Sequence, residues 1–160
     1  MNTQTLLSIV ADQREELLAN DYSELCPRPE ESQLDLKSNR AQVVIGVRRC
    51  GKSTLCEMFL KQKGIDFAYV NFDDDRMEDM KASDLDHLLE ALYMTYGEFK
   101  YLFLDEIQNI EGWPLFVNRL LRQKMHLFIT GSNSKLLSKE LSTHLTGRNN
   151  KVLSLIHISE

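Results

Sequence analysis

The sequence predicts an α/β fold, a parallel sheet with helices on both faces, and three observations carry that expectation. Short apolar runs rich in β-branched and aromatic residues alternate along the chain with stretches of helical spacing, the signature of strand–helix–strand units. The string "IGVRRCGKSTL" sets two glycines five positions apart between one such run and a helical stretch. The string "YLFLDE" ends an apolar run in two adjacent carboxylates.

The elements follow in order. Residues 4–19 read as an amphipathic helix with Leu7, Val10, Ala11, Arg14 and Leu18 near one face. Residues 20–40 are polar and hold two prolines, which predicts loop with short turns at most. "AQVVI" (41–45) reads as a buried strand, and "KSTLCEMFLKQK" as a helix with Leu55, Phe59 and Leu60 inward. A second strand is expected at 67–72. The acidic "DDDRMED" that follows reads as a solvated loop, the better alternative to a cation site. Leu85, Leu88, Leu89, Leu92 and Tyr96 space a helix over 84–96, and "YLFL" (101–104) is the third strand. A helix over 114–124 opens with Pro114 at its first position, where the missing N–H costs nothing. "HLFIT" (126–130) is the fourth strand, a helix over 134–146 carries Leu137, Leu141 and Leu145, and "KVLSLIHI" is the fifth strand. Residues 1–39 are expected to pack as a helix and polar loop on a core of residues 40–158.

Composition narrows the function classes. A chain of 160 residues, 42% hydrophobic and 27% charged, is the size and type of one ordinary globular domain. A formal net charge of −5 excludes a global basic footprint for nucleic acid. Cys26, Cys50 and Cys56 are odd in number and irregular in spacing, which argues for a reducing compartment and against a disulfide framework. No signal peptide or transmembrane-length apolar stretch is read in the sequence. The expected location is the cytoplasm, with no membrane partner. His87, His126, His144 and His157 show no metal-ligand spacing.

Gly46-x-x-x-x-Gly51-Lys52-Ser53 fits a phosphate-binding P-loop, and strand before and helix after supply its required context. Backbone N–H groups of Gly46, Val47, Arg48, Arg49, Cys50 and Gly51 would cradle phosphate oxygens, helped by the dipole of the helix start. Lys52 would reach the β- and γ-phosphates, and Ser53 would offer its hydroxyl to Mg²⁺. Thr54 would support the loop or touch the α-phosphate. Asp105 and Glu106 emerge at the C-terminal tip of a strand, the edge where ligands bind in open α/β sheets. Asp105 would hold Mg²⁺ directly or through water, and Glu106 would polarise the attacking water. In "FITGSNSKLL" a polar group at the strand end would touch the γ-phosphate or the water. Ser132 is the first choice, with Thr130 and Asn133 in competition, and Asn133 suits a helix cap equally well. Arg148 reads on its own as a solvated helix-terminal charge, with an arginine finger as the functional alternative. Cys50 reads as a small filler in the loop, or as a redox-sensitive thiol.

The acid pair and the rest of the chain discriminate among P-loop classes. A guanine-reading Asn-Lys-x-Asp is missing, since Asn150-Lys151-Val152 is followed by Leu153. A small-molecule kinase needs no water-activating glutamate after the aspartate, so Glu106 favours hydrolysis over transfer.

Taken together, "GVRRCGKSTL", "NFDD", "YLFLDEIQNIEGWPLFVNRLL" and "LFITGSNSKLLSKELSTHLTGR" resemble a prokaryotic family of AAA+ superfamily P-loop ATPases over roughly residues 40–150. The resemblance implies a three-layer sandwich with a five-stranded parallel sheet of order 5-1-4-3-2. It implies a Walker A segment at Gly46 to Thr54, a Walker B aspartate at Asp105 and a catalytic base at Glu106. It places a sensor residue within Thr130 to Asn133, and it strengthens the finger reading of Arg148, which matches the Gly-Arg closing the post-sensor helix. Members of that family usually continue into a helical or winged-helix lid and a C-terminal domain often resembling a nuclease. This chain is expected to be truncated before those regions, and its tail "SLIHISE" lacks the Pro-Leu-Ser-Phe type of string expected there. The function expected is Mg²⁺-dependent ATP binding and hydrolysis coupled to conformational change. The alternative is a nucleotide-gated binding module or scaffold with negligible hydrolysis. A homo-oligomer, and a protein or nucleic-acid partner engaged through regions outside this chain, are the further partners implied.

Overall fold

The computed structural model describes residues 1–20, 29–46, 51–132 and, for its backbone, 153–157. Within these, α1 spans Thr3–Ala19, β1 Ala41–Gly46, α2 Lys52–Gln62, β2 Ala68–Asn71 and α3 Leu85–Tyr96. Then come β3 Tyr101–Asp105, α4 Trp113–Arg122, β4 His126–Ser132 and β5 Leu153–His157. The strands whose side chains are described lie in the order β2-β3-β4-β1, all parallel. The backbone of β5 pairs parallel with the other side of β1, from Ala41↔Leu153 to Ile45↔His157. The helix expected at 134–146 lies outside the described residues.

Strand alternation sorts the core onto two faces. Val43, Ile45, Val70, Leu102, Leu104 and Ile129 face one cluster, where Leu6, Ile9 and Val10 of α1, Leu88 and Leu92 of α3, and Val117 and Leu120 of α4 cover them. Val44, Tyr69, Phe103 and Phe128 face the other, against Leu55, Phe59 and Leu60 of α2. Each of these apolar side chains contributes about 1.5–3 kcal/mol through its burial. The sheet is therefore a middle layer with both faces dry, which accounts for strands written as unbroken apolar runs.

Helix α1 corrects the face expected of it. Leu18 is 64% exposed and Ala11 is exposed, whereas Leu6, Ile9, Val10, Gln13 and Leu17 are buried. The reason is that α1 crosses the edge of the sheet. Its first half packs with one core cluster, and Leu17 joins the cluster on the opposite face. Gln13 lies between them and meets the edge strand β2. Its Nε2 donates to Asn71 O at 2.9 Å, and its Oε1 accepts from Asn71 N at 3.0 Å. The side-chain amide thus occupies the place of a neighbouring strand. It satisfies two backbone groups that an edge leaves open.

Two smaller departures follow the same logic. The acidic loop after β2 is anchored rather than simply solvated, because Met77 and Met80 insert into the core. Helix α4 begins one residue earlier than expected, so Pro114 follows Trp113 instead of leading it. The chain enters α4 through Gly112 at φ 83°, where an added Cβ would also come within 3.3 Å of the Ala82 Cβ. Both the left-handed turn and the close approach demand glycine there.

Candidate nucleotide site

The C-terminal tips of β1 and β3 and the start of α2 bring four charged or hydroxylic side chains together. Gly51 takes the left-handed conformation at φ 93° and turns the chain into α2, so Lys52 and Ser53 open the helix. Lys52 is 4% exposed. Its Nζ lies 3.3 Å from Glu106 Oε1 and 3.3 Å from the carbonyl oxygen of Gly46. The Ser53 hydroxyl lies 2.7 and 2.8 Å from the two carboxylate oxygens of Asp105.

Asp105 is the centre of a hydroxyl cage. Tyr69 on β2 donates to its Oδ2 at 3.0 Å, and Thr130 on β4 donates to its Oδ1. Thr130 also accepts the backbone N–H of Glu106 at 3.0 Å, so one hydroxyl ties both acidic residues to β4. Burial pushes the Asp105 carboxyl above its ordinary value, and the adjacent Glu106 adds to the rise. The hydroxyls of Thr130, Ser53 and Tyr69 pull the other way. Burial likewise raises the Tyr69 phenol, with Asp105 reinforcing it, so Tyr69 remains a donor. An oxygen-only set of one carboxylate and one hydroxyl suits Mg²⁺, which binds through one or two protein oxygens while phosphates and waters complete its shell. A desolvated carboxylate whose partners so far are neutral hydroxyls is a fit counterpart for such a cation.

Glu106 leaves the strand at φ 57° and ψ 48°, a left-handed conformation that costs a non-glycine residue about 1–2 kcal/mol. That turn swings its side chain to Lys52 instead of continuing the strand alternation. Its other oxygen, Oε2, accepts from Gln108 Nε2 at 2.5 Å.

The remaining expected residues divide cleanly. Gly46 ends β1 and stands opposite Ser132 in the β1–β4 register. Ser132 is two positions along from Thr130 and therefore on the same strand face. Of the competing polar residues on β4, Thr130 is the one bonded to Asp105 and Glu106. Thr54 follows Ser53 in the first turn of α2. Val47, Arg48, Arg49, Cys50, Asn133 and Arg148 lie outside the described residues. Tyr69 and Gln108 were not singled out from the sequence. Tyr69 carries no motif signal, and Gln108 shows only as a polar residue two positions after the acid pair. A groove of about 610 Å³ lined by Ile65, Tyr93, Phe99 and Tyr101 opens elsewhere, where β2 and β3 begin. It is remote from these groups. No helix among the described residues is long and apolar enough to cross a membrane.

Similarity to known proteins gives the family. The chain is 42% identical over 108 residues to an uncharacterized protein of Methanocaldococcus jannaschii, covering 67% of this chain and 24% of that one. It is 40% identical over 105 residues to an uncharacterized protein of Haemophilus influenzae, covering 61% of this chain and 26% of that one. The chain thus spans about a quarter of the length of the curated relatives it matches. Among solved structures, the AMPPCP-bound DnaA of Aquifex aeolicus aligns with a TM-score of 0.46 and 18% identity, over 91% of this chain and 44% of that one. The family model described as AAA domain matches residues 38–159, most of the chain. With an α/β fold built on a parallel sheet and a glycine turn leading into Lys52 and Ser53, the chain belongs to the AAA domain family.

Proposed function

We propose that this chain binds ATP with Mg²⁺ and hydrolyses it as an AAA+-type core, coupling turnover to conformational change. The observation that carries the reading is the meeting of two pairs at the strand tips, Lys52 with Glu106 and Ser53 with Asp105. Backbone N–H groups from Gly46 through Gly51 (Val47, Arg48, Arg49 and Cys50 between them) hold the phosphates, with Thr54 at the helix start beside them. Lys52 neutralises the γ-phosphate, and Ser53 and Asp105 hold the cation, which when bound supplies charge stabilisation on the phosphate oxygens. Glu106 takes a proton from the attacking water as its oxygen bonds to the γ-phosphorus. The bridging P–O bond breaks, and its electron pair leaves with ADP. Thr130 holds the two acids in place, Ser132 stands at the phosphate end of β4, and Arg148 is assigned to the γ-phosphate of a neighbouring copy.

The Lys52–Glu106 ion pair favours a resting state in which each group occupies the other. A γ-phosphate competes for Lys52 and so releases Glu106. The same pair also suits the second reading, a nucleotide-gated module with negligible hydrolysis, if Glu106 is never freed.

Calorimetry and steady-state ATP turnover with and without Mg²⁺ separate the two. Lys52→Ala is expected to weaken ATP binding sharply, and equal affinity for both proteins would sink the P-loop assignment. Glu106→Gln is expected to bind ATP while turnover falls by about 10²–10⁴-fold. If the unaltered chain turns over no faster than Glu106→Gln, the gated-module reading replaces the hydrolase.

A further inference from the structure

We propose that Gln108 is a catalytic residue of the hydrolysis, its amide N–H fixing Glu106 and its carbonyl oxygen receiving a hydrogen bond from the attacking water. The inference rests on the reading of Glu106 as the base.

The turn after β3 is anchored at every position but one. Ile107 and Ile110 are each 1% exposed and belong to the core. Asn109 spends its side chain on the backbone oxygen of Phe72, at 3.2 Å. The Asn109 N–H closes on Glu106 O at 3.3 Å, and the Ile110 N–H closes on Ile107 O at 3.0 Å. Gln108 sits between these anchors, and its side chain serves neither the core nor the turn. Instead its Nε2 donates to Glu106 Oε2 at 2.5 Å.

The other end of that amide is the second observation. Gln108 Oε1 is buried and has no hydrogen-bond donor among the described residues. A buried acceptor left open costs about 1–3 kcal/mol, and an amide recruited only to brace a loop would have both ends satisfied. The orientation of the amide is dictated by its neighbour. Turning it over would set its oxygen against the Glu106 carboxylate, with no hydrogen between them.

An attacking water has two hydrogens and needs two acceptors to aim its lone pair at phosphorus. Glu106 Oε1, once Lys52 has moved to the phosphate, takes the hydrogen that is transferred. Gln108 Oε1 takes the one that stays. The water oxygen bonds to the γ-phosphorus, the proton passes to Glu106, and the bridging P–O bond breaks with its electron pair on ADP. Gln108 is neither protonated nor consumed. Glutamine in this role orients water by geometry alone, as in other P-loop hydrolases.

The test uses the full chain, with ATP and Mg²⁺ for turnover and AMP-PNP for affinity. Gln108→Met keeps length and removes both polar atoms. It is expected to bind AMP-PNP within about twofold of the unaltered protein and to lower kcat by about 100-fold. Because the two side chains would act on one water, Glu106→Gln combined with Gln108→Met is expected to be no slower than Glu106→Gln alone. Gln108→Ala carries the same expectation if the methionine variant does not fold. A kcat close to that of the unaltered protein overturns the proposal, as do losses that multiply in the double variant. An affinity loss that parallels the kcat loss, or failure of both variants to fold, replaces it with a structural role. If the unaltered chain turns over no faster than Glu106→Gln, the base assignment itself has failed and takes Gln108 with it, a result distinct from failure at Gln108 alone.

Discussion

Asp105 meets hydroxyl groups from three different elements, Ser53 of α2, Tyr69 of β2 and Thr130 of β4. Thr130 is the most exacting of them because it also holds the Glu106 backbone N–H. Thr130→Val keeps the shape, removes one of the two hydroxyls on Asp105 Oδ1 and strands the buried Glu106 N–H. Urea unfolding is expected to show a loss of about 1–3 kcal/mol. Glu57, one turn beyond Ser53, is a second buried carboxylate, 4% exposed, with Asn20 Nδ2 at 3.2 Å. Burial lifts its carboxyl to about 7, against the pull of Asn20 and Lys61, and Asp105 adds to the rise. An acid raised in the folded state keeps its proton there while the unfolded chain has already lost it. Stability therefore falls as pH rises from the unfolded value of 4.5 to about 7, and this contribution is flat outside that window. Glu57→Gln is expected to remove that slope and to raise stability at pH 8 by on the order of 2 kcal/mol. Asp105, also raised by burial, leaves a slope of its own, so a slope as steep in the variant as in the unaltered chain would assign it to another group. Cys56 beside it is an inert thiol, because burial pushes it well above its ordinary value and Asp105 reinforces the shift.

At the level of elements, α1 closes the β2 edge, and Gln13 is the point of closure. The residue is 1% exposed and also reaches Asp74 Oδ2 at 3.1 Å. Asp74 is in turn held by Arg76, whose hydrogen bonds keep its carboxyl well below the usual carboxylate range. Arg76 reaches back to Asp12 of α1 at 2.7 Å, so the loop after β2 is tied to the helix twice. The Arg76–Asp12 pair is exposed and contributes little. The buried amide contributes more. Gln13→Leu leaves both backbone groups of Asn71 without their partner, and a destabilisation of about 2–3 kcal/mol is expected. Hydrogen exchange at the Asn71 amide should speed up, while AMP-PNP affinity stays nearly unchanged. A variant whose Asn71 amide remains protected would show that something other than Gln13 seals the edge.

For the whole molecule, nucleotide should act as a ligand of the folded state alone. At 100 times its Kd, ATP with Mg²⁺ is expected to stabilise the chain by about 2.7 kcal/mol, raising Tm by roughly 5–10 °C. Lys52→Ala should erase the shift at the same ATP concentration. Assembly is the other property of this scale. If Arg148 completes the site of a neighbouring copy, Arg148→Ala leaves ATP affinity nearly intact and lowers turnover in the assembled, full-length protein. Mixing it with excess Lys52→Ala protein should restore part of the activity, each supplying what the other lacks. Co-assembled mixtures that stay inactive would return Arg148 to the role of a solvated charge.

The parts of the candidate site that lie together in the chain were legible in the sequence. Gly46, Gly51, Lys52 and Ser53 fall at a strand end, a glycine turn and the first residues of a helix, so spacing alone brings them together. Asp105 and Glu106 were legible for the same reason, as an apolar run ending in two acids. The face of α1 was not, because Leu7, Ala11 and Leu18 are as apolar as the residues beside them, and only the sheet edge decides which stripe turns inward. The choice of Thr130 to bond both acids was not legible either, since Thr130, Ser132 and Asn133 are equivalent polar residues until β4 lies beside β3. Tyr69 depends on that same adjacency. Strand β3 runs between β2 and β4, with Tyr69 opposite Phe103 and Asn71 opposite Asp105. Strand order is a property of packed layers, and no local stretch of chain encodes it. The sequence by itself determined which groups carry charge to the end of a strand or the start of a helix. The tertiary structure decided which hydroxyls and amides meet them, because those partners come from strands far apart in sequence and adjacent only in the sheet.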